Sequence, residues 1–332
     1  MQQKNIFLHK VTSLVSFFLG VTTLFLVSPA AAHEWPNGKT ITIVVPFAAG
    51  GFTDLAARRF ANNLGTALNS SVIVQNKVGA SGQIGTAFVA REKPDGYTLL
   101  VTATQQVIYP ALQPDLPYNP KKDFSNIAIL AYAPNVLLVP TKSPVSNLQE
   151  FSAYANKEKG GLAFGSSGVG GSAHLSGELF KLISSVNLRH VPYKSASPAV
   201  ADLIGSQIPS AFLDASSTAA FIRSGELKAI AVTSKARLPT LPSVPTIAES
   251  GYPDYESQAW VGVFGPAGMP AAIVDKLNNI VLESNAEPAT AKWFVDNNAI
   301  PATLKSAQVT EFIHSELDKW KKVITSANIT AQ

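Results

Sequence analysis

The chain uses one plan twice. "TITIVVPFAAGGFTDLAARRFANNLGTALNSSVIVQNK" (residues 40–77) and "GLAFGSSGVGGSAHLSGELFKLISSVNLRHVPYK" (161–194) both read as strand, glycine loop, helix, strand. In the first copy, the β-branched run from Thr40 to Val45 stops at Pro46 and predicts a buried strand. Leu55, Phe60, Leu64 and Leu68 follow at near-helical spacing, with Thr53 as the expected N-cap. A strand–helix–strand unit of this kind is the signature of a parallel sheet. A further stretch, "VGASGQIGTAFVAREKPDGYTLLVTATQ", repeats the theme with Gly79, Gly82 and Gly85 ahead of a helix. The fold class is therefore α/β.

The remaining chain fits that class. "NVLLVP" (Asn135–Pro140), "IPSAFLD", "LKAIAVTS" and "AWVGVF" predict strands, and "SNLQEFSAYANK", with Ser146 as cap, and "SPAVADLIGSQ" predict helices. The Pro-rich stretch from Pro239 to Pro253 reads as a crossing or wrapped loop. Two C-terminal helices carry apolar stripes (Ile273, Leu277, Ile280; Phe312, Leu317, Trp320, Val323) that fit them to a sheet.

Each glycine loop stands at the C-terminal end of a strand, where ligands sit in open parallel sheets. A glycine turn followed by a helix N-terminus makes a seat for phosphate or carboxylate. Two such seats facing each other would clamp a small anion.

Enzymatic readings fare worse. Gly168-Val-Gly-Gly-Ser-Ala173 approaches a dinucleotide fingerprint, but the next strand, "VNLRHVPYK", lacks the acid that holds the ribose. No G-x-x-x-x-G-K-[ST] phosphate loop is present, and Gly165–Val169 fails the nucleophile elbow. His174 lies four residues before Glu178, the spacing of an ordinary helical pair. No two histidines among His33, His174, His190 and His314 have metal-ligand spacing. Asp54 and Asp214 are the acids placed at loop or strand ends, and Asp54 also suits the dipole of a first helical turn. The chain thus reads as a binding protein rather than an enzyme, with no cofactor and no metal.

The first 32 residues have the three-part form of a secretory signal: Lys4 and Lys10, an apolar run from Val11 to Val27, then "SPAAAHEW" with Ala30 and Ala32 at the cleavage positions. Cleavage after Ala32 predicts a mature periplasmic protein. Removing residues 1–32 takes away two lysines and no acid, so the formal net charge falls from +4 to +2. That balance leaves no basic footprint for nucleic acid. The absence of cysteine excludes disulfides, a thiolate nucleophile and an N-terminal lipid anchor. A mature chain of this length exceeds what one core usually serves, so two domains are expected.

Four blocks in order carry a resemblance: "WPNGKTITIVVPFAAGGFTDLAARR", "NKVGASGQIGTAFVAREKPDGYTLL", "FGSSGVGGSAHLSGELF" with "HVPYK", and "RLPTLPSVPTIAESGYPDYE" with "WVGVFGPAGMP". Together they resemble the periplasmic solute-binding receptors of tripartite tricarboxylate transporters, the Bug proteins. The resemblance implies a two-lobed, type II periplasmic binding protein with its ligand in the interlobe cleft. Lobe one would comprise residues 33–133 and 257–332, and lobe two residues 134–256. It implies a monomer that delivers a dicarboxylate, tricarboxylate, acidic amino acid or aromatic acid to large and small membrane subunits. Rival roles are a sensory binding module without transport, and a hydrolase or dehydrogenase acting on a small acid.

The resemblance also implies the site. Phe47, Ala48, Gly50, Gly51, Phe52, Thr53 and Asp54 would receive one carboxylate, chiefly through backbone N–H groups. Ser166, Ser167, Gly168, Gly170, Gly171 and Ser172 would take the other polar end. Asp214, at the end of "AFLD", and Thr102 and Thr104, around the end of "YTLLVTA", would line the cleft. A side chain at Gly50 or Gly51 is expected to block the carboxylate and to need a backbone angle that only glycine tolerates. Two positions depart from the family: Ser195 replaces a usual glycine, and Phe52 stands where a small or hydroxylated residue is common. The Phe52 ring either lines the pocket or covers the helix start.

Overall fold

The computed structural model describes residues 35–113 and 115–330. The signal segment read at residues 1–32 lies outside the described residues. In chain order the elements are β1 (Ile41–Val45), α1 (Phe52–Leu68), β2 (Val72–Asn76), α2 (Gln83–Ala90), β3 (Thr98–Ala103), α3 (Gln105–Leu112) and β4 (Phe124–Pro140). There follow α4 (Leu148–Ala155), β5 (Leu162–Ser166), α5 (Ser172–Ser184), β6 (Leu188–Pro192), α6 (Ala196–Ile204), β7 (Ser210–Asp214), α7 (Ala215–Arg223) and β8 (Leu227–Val232). The chain closes with β9 (Gln258–Pro266), α8 (Ala271–Ala286), α9 (Pro288–Asp296), β10 (Ile300–Pro301) and α10 (Ser306–Ser326).

The sheet order is β2-β1-β3-β9-β4-β7-β5-β6, with β8 and β10 also paired to β4. The 17-residue β4 holds the sheet together. Sequence patterning showed only its last third, because Pro134 interrupts the run and "NIAILA" reads equally well as helix. From Phe124 to Pro134 it pairs with β9; from Asn135 onward it pairs with β7 and, from Val136, with β8. The change of partners falls between Pro134, opposite Gln258, and Asn135, opposite Asp214.

Strand direction then positions the loops. β1 and β3 run parallel to each other, and two antiparallel steps through β9 make β4 run the same way. β7 is antiparallel to β4, and β5 is parallel to β7. The C-terminal ends of β1 and β3 therefore point toward those of β5 and β7. On β4 the first group stops level with Ala131, opposite Val261, and the second stops at Asn135. Four residues of strand separate those levels, about 13 Å.

The ladder between β4 and β9 slips twice, between Asn126 and Ala128 and between Ile129 and Ala131. Ile127 and Leu130 are the skipped residues. Their carbonyls are satisfied from α8: Asn278 Nδ2 donates to Ile127 O and Asn285 Nδ2 to Leu130 O, both at 2.9 Å. Seven residues of helix rise about 10 Å, close to three residues of strand, so the two spacings match. Each asparagine is buried and bonds a second carbonyl, that of Leu304 or Ala302. The apolar stripe of α8 (Leu277, Ile280, Val281) packs with Ile43, Phe60 and Leu99, whereas α10 buries Leu317, Trp320 and Val323 in a second cluster. Four elements had no clear sequence signal: α3, α7, α9 and the two-residue β10.

Candidate functional site

The first loop leaves β1 through Pro46 and Phe47 and enters α1 at Gly51. Gly50 adopts φ +87°, in the left-handed region that favours glycine. Gly51 is the N-cap, with φ −75° and ψ 163° and no side-chain cap; the expected cap, Thr53, lies inside the helix. A Cβ built on Gly51 would meet nothing closer than Ala48 O at 3.9 Å. The expectation for the two glycines therefore splits: Gly50 needs its backbone freedom, and Gly51 does not.

The second loop has nearly the same geometry. Gly170 has φ +71°, and Gly171 is an N-cap with φ −74°, ψ 162° and no side-chain cap. Leu55 N–H donates to Gly51 O and Leu175 N–H to Gly171 O, both at 3.0 Å. The helices α2, α3 and α6–α9 also lack a side-chain cap, but α1 and α5 share the Gly-Gly entry with matching backbone angles, and their first-turn N–H groups and positive dipole ends suit an incoming anion.

Each loop is braced from behind. Asp54 is 1% exposed. Its Oδ2 accepts from Gly50 N–H at 2.9 Å and from Arg58 Nε at 3.0 Å; its Oδ1 accepts from Asn76 Nδ2 at 2.9 Å and Arg58 Nη2 at 3.1 Å. Asn76 Nδ2 also donates to Phe47 O at 3.0 Å. Burial opposes the Asp54 charge, but the bonds from Arg58, Gly50 and Asn76 outweigh it and hold the carboxyl below its ordinary pKa. In the second loop the brace is His174, which is 4% exposed and whose Nδ1 accepts from Gly170 N–H at 3.0 Å. Sequence reasoning left His174 as a plain helical residue. The signal was available, because Asp54 and His174 both stand three residues after a Gly-Gly pair. Asn76, Arg58 and His190 were missed too, and their roles need the neighbouring strand or helical turn in place.

Phe47 and Phe52 are half-buried, and Phe52 stacks on Trp293 of α9. Ala48 is exposed and Thr53 is half-buried. Thr102 is buried in β3 opposite Gly262. Thr104 caps α3, and its Oγ1 accepts from Trp260 N–H at 2.9 Å. Two residues on, Gln106 is buried with neither amide atom hydrogen-bonded, and buried Asn135 has an unpartnered Oδ1. Ser166 ends β5 fully buried, while Ser167, Gly168, Gly171 and Ser172 keep partial exposure. Asp214 ends β7 beside Asn135, and burial of its carboxyl raises its pKa. Ser195 is the exposed N-cap of α6, with extended backbone that needs no glycine. Among the described residues no group of three or more His, Cys, Asp or Glu is placed to hold a metal ion.

Comparison with known proteins bears on this geometry. The sequence model of the "Tripartite tricarboxylate transporter family receptor" matches residues 56–329. Protein BugT of Bordetella pertussis is 33% identical over 306 residues, covering 92% of this chain and 94% of BugT. Among solved structures, R. palustris Rpa4515 with adipate is 32% identical with a TM-score of 0.73, over 90% of this chain and 99% of that one. MatC from Rhodopseudomonas palustris, with bound malate, is 30% identical with a TM-score of 0.68, over 86% and 98%.

Proposed function

The chain belongs to the tripartite tricarboxylate transporter receptor family, and from that premise we propose that it captures a small organic carboxylate between two lobes and delivers it to the membrane subunits of such a transporter. The observation that carries this reading is the pair of matched, uncapped helix starts at Gly51 and Gly171. Each offers backbone N–H groups to an anion without a cationic side chain, which suits a receptor that must also release its ligand. Strand direction supports a cleft between them, since β1 and β3 run head-on toward β5 and β7.

The lobes are residues 33–133 with 257–332, and residues 134–256. The support is the change of partners on β4 between Pro134 and Asn135. The loop residues from Phe47 to Asp54 serve one end of the ligand, and those from Ser166 to Ser172 the other. Asp54 acts from behind as the frame of its loop. Thr102, Thr104 and Asp214 stand at the strand ends between them, and the unpartnered amide of Gln106 and the unpartnered Oδ1 of Asn135 add polar groups that a ligand or water would satisfy. The protein binds without turning its ligand over, works in the periplasm as a monomer, and loses residues 1–32 on export.

Adipate and malate in the similar structures make dicarboxylates the first class to try. The test is a thermal-shift panel of malate, adipate, citrate, aspartate and benzoate. A true ligand raises the melting temperature with concentration, because it binds the native state alone. No shift from any acid up to millimolar concentration would contradict the proposal.

A further inference from the structure

We propose that His174 and His190 are the positioning pair of the second loop, with His174 fixing Gly170 and His190 fixing Gly168 through Ser166. This rests on the reading of that loop as a carboxylate seat and assigns its internal support to two imidazoles.

The first loop sets the pattern. There, one residue of the following helix (Asp54) and one from the end of the next strand (Asn76) hold the turn at both ends, at Gly50 N–H and Phe47 O. The second loop has the same two suppliers. His174 lies on α5 and His190 on β6, the strand that follows. His174 Nδ1 takes the Gly170 N–H. His190 Nε2 lies 2.7 Å from Ser166 Oγ, and that hydroxyl accepts from Gly168 N–H at 3.3 Å and donates to Gly168 O at 3.2 Å.

Hydrogen-bond direction fixes the tautomer of His174. Nδ1 of His174 must be bare to accept, so its proton sits on Nε2. His190 Nε2 and Ser166 Oγ, 2.7 Å apart, share one hydrogen bond whose direction follows the His190 tautomer, and either direction ties the imidazole to the hydroxyl that meets Gly168. The rings stack face to face, with centroids 3.6 Å apart and planes 14° apart. Phe164 packs on both, with centroids 5.1 Å from His190 and 6.4 Å from His174. Each ring restricts the other, so the two halves of the loop are held as one unit. Glu178 Oε1 lies 3.8 Å from His174 Nε2, too far for a hydrogen bond, and Glu178 is drawn instead to Lys181 at 3.5 Å. The pair is therefore a frame for the loop.

Backbone hydrogen exchange provides the test, because it reads one amide at a time. In His174→Ala the Gly170 amide should exchange about tenfold faster or more, the equivalent of one lost net hydrogen bond. The Gly50 amide, held by Asp54, should not change. His174→Asn places an oxygen near the Nδ1 position and should restore Gly170 protection to within about threefold. Long-range proton–nitrogen spectra of the wild type should show His174 protonated at Nε2 and bare at Nδ1. An unchanged Gly170 amide in His174→Ala, equal acceleration of Gly50 and Gly170, or a protonated Nδ1 would each overturn the proposal. With malate and adipate as probes, His174→Ala should bind about tenfold more weakly and His174→Asn nearly as well as wild type. If the wild type binds neither acid nor any other of the panel, the ligand reading fails, while the exchange measurement still decides the role of the pair.

Discussion

Phe52 and Trp293 stack with ring centroids 6.3 Å apart and planes 6° apart. The ring that follows the Gly-Gly pair is thereby engaged with α9, within the cluster that also holds Phe60 and Val45. This geometry favours cover over lining. Phe52→Ser should lower stability by about 1–3 kcal/mol, the worth of a half-buried aromatic and its partner. It should leave the order of preference among organic acids unchanged. A denaturant titration reads the first effect and a ligand panel the second; a changed preference order would restore Phe52 to the pocket wall.

Asp54→Asn tests the brace of the first loop. All four hydrogen bonds to the Asp54 carboxylate come from donors, and an asparagine amide turns one acceptor into a donor. The expected loss is about 1–3 kcal/mol of stability. Acid binding should weaken by a similar factor for every ligand, because the carboxylate acts on Gly50 and not on the ligand. Calorimetry with two acids, one bearing an amine and one not, checks this. A loss confined to the amine-bearing acid would show that Asp54 touches the ligand.

The histidine pair makes stability depend on pH. Burial lowers the His174 pKa to about 3, aided by His190 and Lys181, and burial lowers that of His190 to about 4. Both lie below the ordinary histidine value of about 6.5, so the unfolded chain binds more protons as pH falls. The contribution is complete above about pH 6.5 and declines as pH drops toward the folded values, by several kcal/mol for the pair. Glu178 works in the opposite sense, since burial raises its pKa, and Asp54 adds a further loss as pH falls through its lowered value. The melting temperature should fall steadily from pH 6.5 to pH 4, and less steeply in His174→Asn. Identical slopes for the two proteins would contradict the assignment.

The two loops were legible because their signals are local: a β-branched run, a proline or glycine stop, and a helix-spaced stripe. Which glycine needs its freedom was not legible, because "GG" at 50–51 looks uniform while the φ values differ in sign. β4 hid its first two-thirds because the slips at Ile127 and Leu130 and the proline at 134 break the alternation that marks a strand. His190 stayed silent because its role depends on the register that sets it beside Phe164. Asp54 and His174 were legible as a pair only through their common distance from the glycines.

If the backbone itself receives the carboxylate, Gly51→Val should lose binding while keeping its fold. Gly51 already has backbone angles that valine adopts, and its Cβ would meet only Ala48 O at 3.9 Å, so the fold should persist with nearly the same melting temperature. The added side chain would occupy the space in front of the first-turn N–H groups. Each charge-assisted hydrogen bond lost costs about 1.5–3 kcal/mol, roughly ten- to a hundredfold in affinity. Calorimetric titration of the folded variant with an acid that shifts the wild type should show no measurable binding; tight binding by Gly51→Val would contradict the account.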